Sequence, residues 1–284
     1  MRLLLAISIP SLAFTKGASS FRPSSIPSTV RLRVATSATP SSTMSTAEGW
    51  ISINSDKSKA QLVRTSEIEF VATSQAGGVY RKMIEREGTE KVARATTIVK
   101  FDANQAFPRH THDGGEEFLV LDGVWRDDYG EFPKYSYVRN YIGSGHTPSI
   151  GEEGCTILVK LRQMSNNSKD EPEHKAWEAW KPADNVSDVA KKQLFTSPLE
   201  RTSVQVWPSN SNLEITIPKH GAEFFVVDGK FSSELGDHDE WSWCRVPNES
   251  DDEIKFRIKT SGEPVYVWTK EAHLASDEVG MTKS

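Results

Sequence analysis

Cysteine is scarce in this chain, and its spacing excludes the sites that are built on cysteine pairs. The 284 residues contain only Cys155 and Cys244, one in each half. A C-x-x-C zinc or redox motif is therefore absent, and at most one disulfide bridge can form. We expect a fold that is held together by its apolar core, with Cys155 packed inside it as a small hydrophobic residue.

Long hydrophobic runs and basic stripes are missing as well. The mean hydropathy is -0.50 and the formal net charge is -5, of which residues 48–284 alone account for -10. A body this acidic, without basic residues interleaved with aromatic ones, is a poor partner for nucleic acid or anionic lipid. We predict no nucleic-acid partner and no membrane span in the mature protein.

Acidic residues are absent from residues 1–47, which carry five basic ones. An apolar run over residues 3–14 is too short to span a bilayer, and a Ser/Thr/Pro/Arg-rich stretch follows it. This order resembles the bipartite plastid presequences of algae with secondary plastids, and Ala-Ser-Ser-Phe-Arg-Pro at 18–23 resembles their cleavage motif. We predict a disordered presequence over 1–47 and delivery to a plastid, with a mitochondrion or secretion as the alternatives.

Short β-prone runs separated by turn residues dominate the remaining sequence, and no sustained helical period competes with them. This pattern is typical of an all-β sandwich or barrel. The predicted strands are residues 95–101, 117–121, 135–139, 155–161, 203–207, 213–217, 223–227 and 265–268.

An internal repeat organises these strands into two domains. A shift of 106 positions places Glu-Phe-Leu-Val-Leu-Asp-Gly at 117–123 on Glu-Phe-Phe-Val-Val-Asp-Gly at 223–229. We therefore predict a tandem duplication, with a metal-binding domain over 48–164, a linker over 165–195, a second domain over 196–275 and a tail over 276–284. The two domains are expected to pair within the chain, and both a monomer and a homodimer are compatible with the sequence.

Four side chains in the first half form a candidate metal site. His110 and His112 are separated by one residue in an extended run, so alternation along the strand points both imidazoles to one face. A Gly-Gly turn follows, and Glu116 opens the next strand, while His146 ends a Gly-Ser-Gly turn about one hairpin later. Three imidazoles and one carboxylate suit Zn(II), Fe(II) or Mn(II), among which the donor set alone does not choose. The alternative for any one of these histidines is an ordinary hydrogen-bonded residue, which the joint pattern disfavours.

These residues belong to a longer pattern that closely resembles the ChrR-like cupin family. The pattern comprises H-x-H-x-x-x-E-E-F-L-V-L-D-G at 110–123, D-D-Y-G at 127–130, Y-V-R-N at 137–140 and G-S-G-H-x-P at 143–148. The resemblance runs from about residue 50 to 164 and implies a jelly-roll (double-stranded β-helix) domain with His110, His112, Glu116 and His146 as metal ligands. The anti-sigma factor that names the family has an additional N-terminal zinc module. No paired Cys and His precede the cupin here, so an anti-sigma role is not supported.

The second half lacks these ligands at the matching positions. His110 becomes Thr216, His112 becomes Pro218 and Glu116 becomes Ala222. The fold class we predict is thus two tandem cupins, of which the second is degenerate. The other histidines, His174, His220, His238 and His273, we interpret as surface residues.

The metal site suggests an Fe(II)-dependent dioxygenase-type oxidoreductase that acts on a small chelating substrate, by analogy with a cupin that cleaves acetylacetone. The alternative is a non-catalytic zinc-binding structural or sensor cupin. Tyr135, Tyr137 and Arg139 alternate along one strand face, and we predict that they line the cavity together with Glu117. The alternative for these residues is exposure to solvent on the outer face of the strand. The sequence assigns no side chain a catalytic role.

Overall fold

The computed structural model describes residues 42–45, 49–73, 76–89, 91–164, 172–181 and 186–275. Apart from Ser42–Ser45, which form a strand, the predicted presequence lies outside these residues, as does the predicted tail. Within the described part of the chain, no helix is both long enough and apolar enough to cross a bilayer.

The first half contains strands that share an antiparallel arrangement. They are β1 (Ser42–Ser45), β2 (Trp50–Ile53), β3 (Gln61–Val63), β4 (Val71–Ala72), β5 (Val79–Gly88), β6 (Ala93–Phe101), β7 (His110–Thr111), β8 (Glu116–Asp127), β9 (Gly130–Pro133), β10 (Tyr137–Asn140), β11 (Gly145–His146) and β12 (Ser149–Leu161). A short 3₁₀ turn, Thr65–Glu67, follows β3.

The second half repeats this plan. Its strands are β13 (His174–Trp177), β14 (Ala190–Thr196), β15 (Arg201–Trp207), β16 (Asn212–Ile217), β17 (Ala222–Asp228), β18 (Phe231–Ser233), β19 (Gly236–His238), β20 (Trp243–Val246), β21 (Ile254–Thr260) and β22 (Val265–Glu271). Each of the eight strands predicted from the sequence overlaps one of the observed strands, so the all-β tandem architecture is confirmed.

The two large sheets have the same strand order. The first runs β5-β6-β12-β8-β10-β13 after β1 and β2, and the second runs β14-β15-β22-β17-β20-β3. The first sheet is therefore completed by β13, which lies in the predicted linker, and the second by β3, which lies in the predicted first domain. The two halves exchange one strand each. The domain boundaries stay a prediction, but β13 and β14 are integral parts of these sheets and do not act as a connector.

Alternation along the strands separates two hydrophobic cores. On β8, Phe118 and Val120 point into the first barrel, where they pack with Trp125, Val138 and Cys155. Burial raises the pKa of the Cys155 thiol to about 12, as expected for a packing residue.

Leu119 and Leu121, on the opposite face of β8, pack against the second half. Their partners there include Val204, Phe225 and Trp268. The outer faces of the two sheets thus form the core between the domains, and each barrel keeps a separate core of its own.

Candidate metal centre

Two very short strands bring the three predicted histidines together at one end of the first barrel. β7 pairs with β11 so that His110 lies opposite His146. The ring centroids of His110, His112 and His146 are 4.7 to 5.1 Å apart. Nitrogen atoms from the three rings lie within 4.8 Å of one another, so this cluster could hold a metal ion.

The backbone between His112 and Glu116 turns tightly, and glycine makes this turn feasible. Gly115 has a φ of +77°, and a Cβ atom there would lie 2.3 Å from the sulfur of Met164. The turn is clamped from the other side, since His112 N–H donates to the carbonyl oxygen of Ser144 and Gly143 N–H donates to that of His112. The Gly-Gly turn is therefore needed for both its conformation and its close packing.

The Nδ1 atom of each histidine ring lies within hydrogen-bonding distance of an oxygen atom. Nδ1 of His110 lies 3.1 Å from the carbonyl oxygen of Pro108, Nδ1 of His112 lies 3.3 Å from Ser144 Oγ, and Nδ1 of His146 lies 2.9 Å from Asp127 Oδ2. Such contacts orient the rings and leave Nε2 as the lone-pair donor. The Nε2 atoms of His112 and His146 are buried without a hydrogen-bond partner. Because buried polar atoms are normally satisfied, these two atoms fit a bound cation.

Glu116 lies beside two of the three rings. Its Oε1 is 3.7 Å from Nε2 of His112 and 3.9 Å from Nε2 of His146, and it accepts a hydrogen bond from Asn140 Nδ2 at 3.2 Å. The carboxylate is therefore close enough to act as a fourth ligand after a small adjustment.

Electrostatics favour a neutral imidazole at His112, beside the Glu116 carboxylate. Burial lowers the pKa of His112, which opposes protonation of a ring that has to supply a lone pair, although Glu116 acts in the opposite direction. Burial would raise the pKa of Asp127, but hydrogen bonds from His146, from the Tyr129 backbone N–H and from Trp125 outweigh burial and lower it. Asp127 is thus held as an anion next to His146.

The predicted pocket residues lie elsewhere, and this part of the sequence prediction is wrong. Glu117, Tyr137 and Arg139 are on the faces of β8 and β10 opposite to Glu116 and Asn140. All three are buried against the second domain, where Glu117 pairs with Lys270 and Arg139 pairs with Glu200. The predicted alternation is present, but the face that these residues share is the one turned away from the histidine cluster.

Tyr135 is also turned towards the second domain. Its ring contacts that of Tyr266 edge-on, at a centroid distance of 5.1 Å. Tyr135 is half-buried in this contact, so none of the four predicted pocket residues is seen facing the histidine cluster.

Two histidines that were predicted at the surface are buried. His238 is 1% and His273 is 5% exposed, whereas His220 is exposed as predicted. His174 is half-buried and stacks on the ring of Tyr129. Hydrophobicity patterns give no signal for a histidine inside an aromatic core such as that around His238.

The residues that support the ligands were missed for a different reason. Asp127 is eleven positions after Glu116 on β8, so simple alternation would place it on the opposite face. A register shift between β8 and β12 occurs near Gly123, whose φ is +71°, and it reverses the alternation. A bulge of this kind is detectable only once the strands are paired.

The second barrel has an aromatic core where the first has the metal centre. In the first sheet Lys160 of β12 lies opposite Glu117, and in the second sheet Lys270 of β22 lies opposite Glu223. β22 therefore corresponds to β12 with an offset of 110 positions. The same offset aligns His146 with Phe256, whereas the pairing of β16 with β21 puts Lys255 opposite Thr216, the counterpart of His110. Of these two residues, Phe256 is the buried one. Phe256 is 1% exposed and stacks on Phe224, so apolar packing replaces the ligand.

Comparison with known proteins agrees with this architecture. Residues 58–165 match the ChrR cupin-like domain model, whereas no curated protein matches the chain. A proposed dioxygenase from Nostoc punctiforme is 14% identical, with 80% of this chain and 88% of that chain covered and a TM-score of 0.56.

Two further solved structures show similar folds. The bacterial pirin YhhW from Escherichia coli, in complex with nickel(II), is 13% identical over 75% of this chain and 98% of its own, with a TM-score of 0.56. An oxalate decarboxylase is 11% identical over 78% and 79%, with a TM-score of 0.52, and Bacillus subtilis variants of that enzyme also match. At these identities the likeness concerns the fold. The chain folds as two tandem jelly rolls, and the match over residues 58–165 shows that the first of them is similar to the ChrR cupin-like domain.

Proposed function

We propose that the first cupin binds one divalent transition-metal ion through His110, His112, His146 and Glu116 and uses it in the oxidation of a small chelating substrate by dioxygen. The observation that carries the proposal is the convergence of imidazole nitrogens with buried, unpartnered Nε2 atoms on His112 and His146. The neighbouring solved structures support a redox enzyme only by analogy, since one is a proposed dioxygenase and another contains nickel(II).

Exposure of the centre favours catalysis over a closed structural site. His110 is exposed, whereas His112 is 8% and His146 is 1% exposed, so the cluster is accessible from the side of His110. The barrel interior below the cluster is packed by Phe118, Trp125 and Val138 and needs no metal to fill it. A tetrahedral structural zinc ion is closed by four protein ligands, whereas an ion that accepts five or six ligands would keep one or two open positions beside these four.

The charge of the donor set indicates the kind of substrate. With neutral imidazoles and one carboxylate, a bound dication keeps a net charge of about +1, which favours an anionic bidentate ligand such as an enolate. Iron(II) would supply Lewis acidity and redox chemistry at this point. The protein contributes the rest: Asp127 orients His146, Asn140 orients Glu116, and the ring of Trp125 packs beside that of His146.

Metal analysis of anaerobically purified protein, followed by oxygen uptake with small β-dicarbonyl compounds, tests the proposal. We expect about one iron ion per chain and substrate-dependent oxygen consumption, both lost in His112→Ala and both retained in His220→Ala. Stoichiometric zinc without oxygen uptake, even after reconstitution with iron, would overturn the proposed oxidation of the substrate by dioxygen. That result would favour the zinc-binding structural or sensor cupin.

A further inference from the structure

A chain of hydrogen bonds leads from Glu116 away from the histidine cluster. Asn140 Nδ2 donates to Glu116 Oε1 at 3.2 Å, and Nδ1 of His174 lies 2.8 Å from Asn140 Oδ1. A carboxylate only accepts hydrogen bonds, so Asn140 has to present its amide N–H to Glu116 and its oxygen to His174. His174 then donates through Nδ1–H. Each member of the chain fixes the orientation of the next.

The last member of this chain comes from outside the ChrR-like pattern. His174 is on β13, which adds to the first sheet from the segment between the two repeats, and it lies opposite Asn140. The imidazole is fixed from the other side by Tyr129, whose ring is parallel to it within 1° at a centroid distance of 3.9 Å. The Tyr129 hydroxyl in turn donates to the carbonyl oxygen of Gly145, next to His146. His174 is thus held in a defined position on the side of the site that Glu116 occupies.

The second cupin lacks all three members together. The register of β17 and β20 places Ala222 opposite Val246, where the first cupin has Glu116 opposite Asn140. β3 takes the place of β13, and its pairing of Gln61 with Arg245 puts the buried Ala60 where the first cupin has His174. Small or apolar residues thus replace all three members of the hydrogen-bond chain in the second barrel. The metal-ligand positions of that barrel are replaced as well.

We propose that His174 is a positioning residue of the metal centre, which acts through Asn140 to hold the Glu116 carboxylate towards the metal. β13, which comes from the segment between the repeats, thereby completes both the first sheet and the metal site. The inference rests on the metal-binding part of the proposed function and is independent of the reaction. Residues that orient metal ligands contribute about 10- to 100-fold to metal affinity.

The test is a titration of the metal-free full-length protein with Co(II) in competition with a chromophoric chelator. His174→Phe keeps the ring that stacks on Tyr129 but removes the donor to Asn140, so we expect Co(II) binding to weaken about 10- to 100-fold. His174→Gln retains an N–H donor and should recover much of the loss. The matched control is His220→Phe, at an exposed histidine of the second cupin, and it should bind as the wild type does.

Two further readouts separate positioning from general damage. In Asn140→Ala, the addition of His174→Phe should cause no further loss of affinity, because His174 acts through Asn140. The visible spectrum of the Co(II) complex of His174→Phe should shift in the same direction as that of Glu116→Gln. If His174→Phe fails to fold, His174→Gln and its combination with Asn140→Ala decide the question.

The outcomes are distinct. Wild-type affinity in His174→Phe, or additive losses in the double variant, would overturn the positioning role. Absence of Co(II) binding in the wild type would overturn both this inference and the proposed function. Tight Co(II) binding that depends on His174, in a protein without oxygenase activity, would support the inference and contradict only the proposed reaction.

Discussion

The two cupins agree on their outer faces and differ on their inner ones. Outside, Glu117 and Lys160 of the first domain correspond to Glu223 and Lys270 of the second, and the pairs cross the interface reciprocally. Glu117 contacts Lys270, and Lys160 lies 2.6 Å from Glu223. Each carboxylate also accepts a hydrogen bond from an aromatic residue of its own sheet, Tyr137 or its counterpart Trp243. This network is the same in kind on both sides.

Inside the barrels, the two domains differ at the positions of the metal centre. Ligand and support positions of the first cupin hold apolar or small residues in the second, such as Phe256 in place of His146. The duplicated domain has therefore kept what pairs the barrels and not what binds a metal. The difference indicates that the second cupin serves the first as a structural partner, and four experiments can test this contrast.

The largest expected effect follows from giving the first cupin the residue of the second. His146→Phe should reduce bound metal from about one ion per chain to none while the barrel stays folded, because the change removes a ligand and the second barrel holds a buried aromatic ring, Phe256, at the aligned position. Metal analysis together with circular dichroism checks this. Retention of a full metal complement would remove His146 from the ligand set.

Breaking the shared network should affect stability more than function. Lys270 is fully buried and contacts both Glu117 and Glu200, so Lys270→Met leaves two buried carboxylates that share Arg139 as their remaining cation. We expect a loss of about 3–5 kcal/mol in the free energy of unfolding. Urea denaturation measures it. Lys219→Met, at an exposed pair with Asp251, is the matched control and should cost less than about 1 kcal/mol.

Acid should weaken the same interface. Burial would raise the pKa of Glu117, but Lys270 and Arg139 outweigh it and lower the pKa from 4.5 to about 2. A carboxyl group with a lowered folded-state pKa contributes stability above pH 4.5 that disappears as the pH falls towards 2. The contribution is on the order of 3 kcal/mol. Urea midpoints between pH 6 and 3 should fall more steeply for the wild type than for Glu117→Gln, and equal slopes would contradict the interpretation.

The smallest expected effect concerns His238, which stands in the second cupin where the first has Phe132. Burial lowers its pKa to about 3, so between pH 6.5 and 3 the unfolded chain takes up a proton that the folded chain does not. Stability therefore decreases as the pH falls through this range. His238→Phe should remove roughly 1–2 kcal/mol of that decrease at pH 5. Thermal unfolding at pH 7 and pH 5 measures the change, with His220→Phe as the exposed control; the same pH dependence in both variants would be contrary to expectation.

Much of this fold could be predicted because the features that indicate it are visible in the sequence itself. The β-prone runs, the turn glycines and the 106-residue repeat are visible without a structure, and His-x-His followed by a Gly-Gly turn brings donor atoms together by geometry alone. The face on which Glu117, Tyr137 and Arg139 lie could not be predicted, since a buried interface between two domains and a barrel interior give similar alternation. His174 could not be assigned for a related reason, because its partner Asn140 is on a strand that only the tertiary fold places beside it.

The exchange of β3 and β13 also bears on how the chain folds during synthesis. The first sheet lacks its last strand until residue 177 has left the ribosome, so the metal centre cannot acquire His174 before then. β3, made early, pairs with β20, and the edge it covers does not exist until residue 246 has been made. β3 therefore stays without its sheet neighbour while about 180 further residues are made, and its pairing with β20 joins residues that lie far apart in the sequence.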